Sequence, residues 1–119
     1  WVPGNDPSVL FWQDAKEIAV KSYQLTRTKE FARDFGLKDQ IQRSAVSIAS
    51  NIAEGDGMGS DKQSVRYFYI AKVSVAELTT QIIIAHDIGY LDDNTQNGFL
   101  DGCDKISSML TKLIKARSQ

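Results

Sequence analysis

Apolar residues recur at helical spacing in four consecutive blocks of the chain, and glycine- or proline-containing turn chemistry separates the blocks. In the first, Phe11, Ala15, Ile18 and Leu25 repeat at intervals of three, four and seven. Ala19 lies alongside, and Asp14 and Glu17 suit the positive end of a helix dipole, so a helix is predicted over about residues 10–27. The stretch from Thr28 to Gly36 has room for one short turn through Glu30, Phe31, Ala32 and Phe35. Its aromatics would close one end of the fold, and Gly36 would provide a left-handed stop. In the second block Ile41, Ala45, Ile48 and Ile52 predict a helix over residues 37–54. Ser44, Ser47, Ser50 and Asn51 flank that stripe. Side chains this small let another backbone come close, and their hydroxyls can bond to a carbonyl one turn back.

The third block is the longest. Phe68, Ala71, Val75, Leu78, Ile82 and Ala85 form an unbroken three-four stripe, which predicts a helix over residues 61–89 with Ser60 or Asp61 at its cap. At 1.5 Å per residue this is a rod of roughly 42 Å. A second apolar set, Tyr69, Val73, Ala76 and Ile83, runs beside the first, and Ile70, Ile84 and Ile88 carry the apolar character further round the cylinder. The fourth block, with Phe99, Cys103, Ile106, Leu110 and Leu113, predicts a helix over residues 94–117 capped by Asn94 or Thr95. Lys112, Lys115 and Arg117 complement the negative end of its dipole. No segment alternates apolar and polar residues over strand length, so the class is all-α. The simplest arrangement is a single-domain antiparallel up-down-up-down four-helix bundle over residues 1–119. Such a bundle uses one apolar stripe per helix. The surplus on the third therefore predicts a homo-oligomer interface at Tyr69, Val73, Ala76 and Ile83.

Composition supports a folded, water-soluble chain: 42% hydrophobic, 24% charged and two prolines exclude collagen-like and disordered classes. Fourteen basic and fifteen acidic residues leave a formal charge of -1, so any nucleic-acid contact has to be local. The charges are unevenly placed. From Val73 to Asp104 there is no lysine or arginine, while Glu77, Asp87, Asp92, Asp93, Asp101 and Asp104 are acidic; from Lys105 onward four basic residues occur and no acidic ones. A cyclic assembly could stack these acidic and basic zones on one another. Trp1 to Leu10 lacks a secretory pattern, and the longest apolar run, Ile82 to Ala85, falls far short of the ~20 residues of a membrane span. A cytoplasmic location without membrane contact is the resulting expectation.

Candidate chemistry is sparse. Gly55-Asp56-Gly57-Met58-Gly59-Ser60-Asp61-Lys62 has the glycine content of a phosphate-cradling loop but follows a helix rather than a strand, so an interhelical turn is the better reading. It also lacks the alternating carboxylates and closing glutamate of a calcium loop. His86 next to Asp87 suggests a base oriented by a carboxylate, but adjacent helical positions point about 100° apart and are not expected to meet; a packed or interfacial histidine is expected instead. Cys103 lies on an apolar stripe, where a thiol behaves as a small hydrophobe, and one cysteine cannot form an internal disulfide. One histidine cannot supply the two Glu-x-x-His motifs of a di-iron bundle. No cofactor, metal or catalytic constellation is expected, and an enzyme is disfavoured. Glu54, at a helix carboxyl end, and Glu77, in an apolar stretch, both need cationic or hydrogen-bonding partners, from Arg43, Arg66 or Lys72 or from another subunit.

The segment from Leu37 to Gly55, LKDQIQRSAVSIASNIAEG, resembles the signature of the four-helix-bundle family of 23S rRNA intervening-sequence proteins. The resemblance continues through Tyr67, Phe68, Ala71, Ser74, Glu77 and Leu78, and Phe11-Trp12 through Leu25 is similar to the family's first helix. It implies a barrel-like homopentamer of antiparallel four-helix bundles with no known enzymatic activity, encoded within insertions in bacterial large-subunit rRNA genes. Relatives serve as accessory proteins of diversity-generating retroelements and bind nucleic acid and a reverse transcriptase. This chain departs from those strongly basic relatives in its slight acidity. Met58 stands where a basic or polar residue is frequent, and Val73 where a glycine commonly precedes Ser74. Two functional expectations follow. In one, a homo-oligomeric module contacts RNA or DNA phosphates, or a protein partner, through Lys38, Arg43, Lys62 and Arg66. In the other, a scaffold binds protein only.

Overall fold

The computed structural model describes the backbone of residues 7–118 and the side chains from residue 11 onward; of the proline punctuation ahead of the first block, Pro3 lies outside the described residues. Four α-helices follow in order: α1 (Pro7–Leu25), α2 (Phe35–Asp56), α3 (Asp61–Asp87) and α4 (Asp93–Arg117). A 3-10 turn, Lys29–Arg33, lies between the first two, and no strand occurs among the described residues. α1 packs on α2, α2 on α3 and α3 on α4, while α4 closes the ring more loosely against α1. The result is the expected four-helix bundle, 45 × 24 × 23 Å. Its core is made of the predicted stripes: Phe68, Ala71, Val75, Leu78, Ile82 and Ala85 of α3 are buried, as are Ile41, Ala45, Ile48 and Ile52 of α2. On α4 the last core residue is Ile114, and the predicted Leu113 is only half-buried. The α1 stripe gives way to polar residues at the end of the helix and just beyond it. Ser22 and Thr26 are buried, their hydroxyls donating to the carbonyls of Ile18 and Ser22, each at 2.8 Å.

A polar seam joins α2 and α3. Asn51 Nδ2 donates to Ser47 Oγ at 3.0 Å, Ser47 and Ser74 hydroxyls lie 2.8 Å apart, and Ser74 Oγ donates to the Ile70 carbonyl at 3.1 Å. Because Ser74 has one proton and spends it on Ile70, Ser47 must be the donor to Ser74. The chain of donors therefore runs one way, from Asn51 to Ile70. The Ser47 hydroxyl thus bonds across to α3 rather than back along its own helix, as the small flank of α2 alone suggests.

The helix ends depart from expectation by a few residues, for local reasons. α1 starts at Pro7, where a proline ring is already set for a first helical turn. α2 starts at Phe35 because Asp34 caps it, its Oδ1 accepting from Leu37 N at 3.1 Å. Gly36 is therefore helical and stops nothing. Phe35 points outward, 74% exposed, so only Phe31 of the two aromatics closes the bundle end. Ser60 caps α3. α3 ends in a Schellman motif: Gly89 adopts φ +88°, its N–H reaches the His86 carbonyl at 3.0 Å, and Tyr90 N–H reaches the Ala85 carbonyl at 2.9 Å. Asp92, rather than Asn94 or Thr95, caps α4, accepting from Thr95 N at 2.7 Å. Hydrogen bonding from the Thr95 side chain first, and from its backbone N–H second, holds the Asp92 carboxyl below its ordinary value.

Two side-chain clusters hold the ends. At the end where α3 finishes, Tyr90 stacks on Phe31 with centroids 5.0 Å apart and donates to Asp34 Oδ2 at 3.0 Å, a bond that raises the phenol above its ordinary value. Beside it, His86 Nε2 meets Asp93 Oδ1 at 2.5 Å and Nδ1 meets Asp87 Oδ1 at 3.2 Å. The adjacent pair expected to point apart therefore does meet: His86 and Asp87 lie at the last turn of α3, and the ring also reaches α4. At the opposite end Arg117 stacks on Phe68 at 5.3 Å, donates to Ser64 Oγ at 3.2 Å and pairs with Asp56 at 3.5 Å. Gly55 lies against the same ring.

A Cβ at Gly55 would stand 2.6 Å from Phe68 Cε1, on a ring only 1% exposed. Gly55→Ala is thus expected to lower stability by ~1–3 kcal/mol through overpacking. Helix propensity alone would raise it by ~1 kcal/mol. The urea midpoint decides, and a rise would contradict the packing account. His86 gives a pH signature. Both ring nitrogens donate to carboxylates only in the imidazolium, and these bonds, Asp93 first and Asp87 second, raise its pKa above 6.5. A raised folded-state value means the clamp's contribution is complete below pH 6.5 and is lost as pH climbs through the folded value. The melting-temperature gap between the native chain and His86→Gln is expected to shrink over that window; a gap unchanged by pH would contradict the clamp.

Candidate subunit interface and basic end

The outer surface of α3 is built from the second apolar set. Tyr69 is 54% exposed, Val73 59% and Ile83 38%, with Ala76 exposed between them. Ile84 shares this surface, and Ile70 and Ile88, also exposed, extend it toward α2. α3 is thus apolar on both sides, one filling the core and the other facing solvent. By length and composition alone it could cross a membrane, and 44% of its most apolar window is buried in the bundle. Fully burying one large apolar side chain stabilises by ~1.5–3 kcal/mol, so half-exposed residues along one face leave several kcal/mol available to a partner surface.

The four predicted basic residues fall into two groups. Lys62 and Arg66 are exposed on the first turns of α3, and neither has an ion pair among the described residues. Lys38 and Arg43 lie near the start of α2. Lys38 Nζ sits 5.3 Å over the Phe35 ring, and Arg43 pairs with Asp39 at 3.8 Å on an open surface. Since α2 and α3 run in opposite directions, the start of one lies far from the start of the other, and a single subunit does not bring the two groups together. α4 supplies different companions. The Arg117 bond to Ser64 sets its last turns beside the first turns of α3, so exposed Lys112 and Lys115 share an end with Lys62 and Arg66. In the sequence these two lysines are explained by the helix dipole, and only the antiparallel return of α4 brings them to the end that Lys62 and Arg66 occupy. Asp87, Asp92 and Asp93 crowd the opposite end. The α3–α4 half is therefore basic at one end and acidic at the other.

The remaining candidates contain no assembled chemistry. Glu54 and Glu77 form no ion pair among the described residues, so Arg43, Arg66 and Lys72 do not serve them within the subunit. Glu77 instead borders an open groove of about 330 Å³ between α2 and α3, shared with Arg43 and Gln81. A larger groove of about 650 Å³ between α3 and α4 is lined by Lys72, Asp101, Asp104 and Cys103. The thiol is 2% exposed and burial pushes its pKa up, which disfavours the reactive thiolate. Among the described residues no three His, Cys, Asp or Glu side chains are grouped to hold a metal. The glycine-rich segment is an interhelical turn: Gly55 and Asp56 still belong to α2, Gly57 ends it and Ser60 caps α3.

The family described as 23S rRNA-intervening sequence protein matches residues 8–112. Among solved structures, the chain is similar to a protein of unknown function from the S23 ribosomal protein family of Bacteroides thetaiotaomicron VPI-5482. The two share a TM-score of 0.84 and 20% identity over 91% of this chain and 97% of that one. At that identity the likeness is one of fold. No curated protein matches.

Proposed function

The chain belongs to the family of 23S rRNA-intervening sequence proteins, and from that premise we propose that it is a non-enzymatic binding module that assembles with itself and engages RNA through one end of the bundle. The observation that supports this is the exterior of α3. Its middle and carboxyl-terminal part is bare apolar surface, suited to a second copy, and its first turns present Lys62 and Arg66 without competing carboxylate partners. In a ring of subunits, a pentamer by family resemblance, each copy adds its Lys62, Arg66, Lys112 and Lys115 to the same rim. A chain with a formal charge of -1 can thereby present a local positive band. RNA is favoured over DNA by the family premise; the charge pattern suits either.

A second reading, a scaffold that binds only protein, has its own support in the acidic stretch from Glu77 to Asp104, which repels phosphate and suits a basic protein partner. Filter binding of structured RNA over a salt series separates the two. Under the first reading, log affinity falls linearly with log salt, and the double variant Lys62→Ala, Arg66→Ala flattens the slope by ~0.7 to 0.9 for each phosphate that these side chains neutralise in the native protein. Lys38→Ala leaves it unchanged. Affinity indifferent to salt, or no retention at low salt, would overturn the RNA reading and leave the scaffold.

A further inference from the structure

We propose that the outer face of α3 is received, head to tail, by the outer groove between α1 and α2 of a second copy of this chain. The inference rests on the self-assembly reading above and adds which surface meets which. A second apolar exterior exists on the molecule: Val20 is 49% exposed, Tyr23 39% and Val46 41%. These side chains lie on the outward sides of α1 and α2 in two adjoining depressions of about 330 and 360 Å³ that share Tyr23. Lys16, Arg27 and Arg43 also line them, against one carboxylate, Asp39. The surface is thus concave, with apolar side chains set among a net positive lining.

The α3 exterior has the opposite character. It is a convex rod whose apolar residues are accompanied, from Val73 onward, by Glu77 and Asp87 and by no lysine or arginine. Shape and charge both match the α1–α2 groove. The two surfaces also lie on different sides of one subunit, because α1 and α3 are diagonal in the ring of helices, so each copy can give one and receive the other at once. Self-pairing of α3 suits these facts less well. A two-fold pair centred on Ala76, midway between Tyr69 and Ile83, would leave Val20, Tyr23 and Val46 bare.

Two variants test the arrangement. Val73→Glu spoils the donor face and Val46→Glu the receiving groove; both positions are exposed, and circular dichroism with thermal melting checks that each variant folds. Sedimentation of the native chain is expected to give an oligomer, and each variant alone a single chain. An equimolar mixture is expected to restore a species of two chains, because the intact α3 of the Val46→Glu copy still fits the intact groove of the Val73→Glu copy. The Tyr69→Glu and Tyr23→Glu pair repeats the test with different side chains. A Val46→Glu variant that still assembles like the native chain, or a mixture that remains at one chain, would overturn the head-to-tail arrangement and leave self-assembly standing. A native chain that sediments as a monomer would overturn both.

Discussion

The bundle depends on the unbroken apolar stripe along the inward face of α3. Its inner stripe, from Phe68 to Ala85, packs against both α2 and α4, and without it those helices would have no common core. Its outer stripe gives nothing to the isolated subunit, since Tyr69 and Val73 remain more than half exposed there. Water penalises such a surface in proportion to its area, and a monomeric protein seldom keeps a contiguous one of this size without a use for it. In the proposed assembly, subunit stability and self-association are two uses of a single helix. The same side-chain types serve each, and only direction distinguishes them.

The ends of the bundle are closed by polar chemistry rather than by more apolar surface. One end relies on Arg117, which joins α4 to Asp56 of α2 and to Ser64 and Phe68 of α3; the other relies on Asp34, which caps α2 and accepts from Tyr90, and on His86 between two carboxylates. These interactions are partly open to solvent, so each contributes modestly. Their value lies in fixing helix register. That register decides which residues of α3 and α4 share an end, and hence where the positive charge of a nearly neutral chain is concentrated.

The heptad stripes are legible in the sequence because periodicity reports burial directly: Ile41, Ile48, Phe68 and Leu78 are core for the reason their spacing suggests. The surplus set on α3 is legible for the same reason. Caps are less so. Asp92, Asp93, Asn94 and Thr95 can all cap a helix, and the choice falls to Asp92 because the Schellman turn at Gly89 and Tyr90 fixes where the chain re-enters. Phe35 has the composition of a lid but is rotated outward once Asp34 starts α2. The partners of Arg117 are invisible in the sequence because Asp56 and Ser64 are remote from it and no local pattern links them. Lys38 and Arg43 enter the basic set through local composition alone, whereas end-to-end position depends on helix direction.

Whether α3 needs a second copy is tested most directly by the mass of the native protein across a dilution series. Sedimentation velocity is predicted to show a species of several times the 13.2 kDa chain persisting at micromolar concentration. A 13.2 kDa particle at every concentration, with its α3 exterior still in water, would contradict the account.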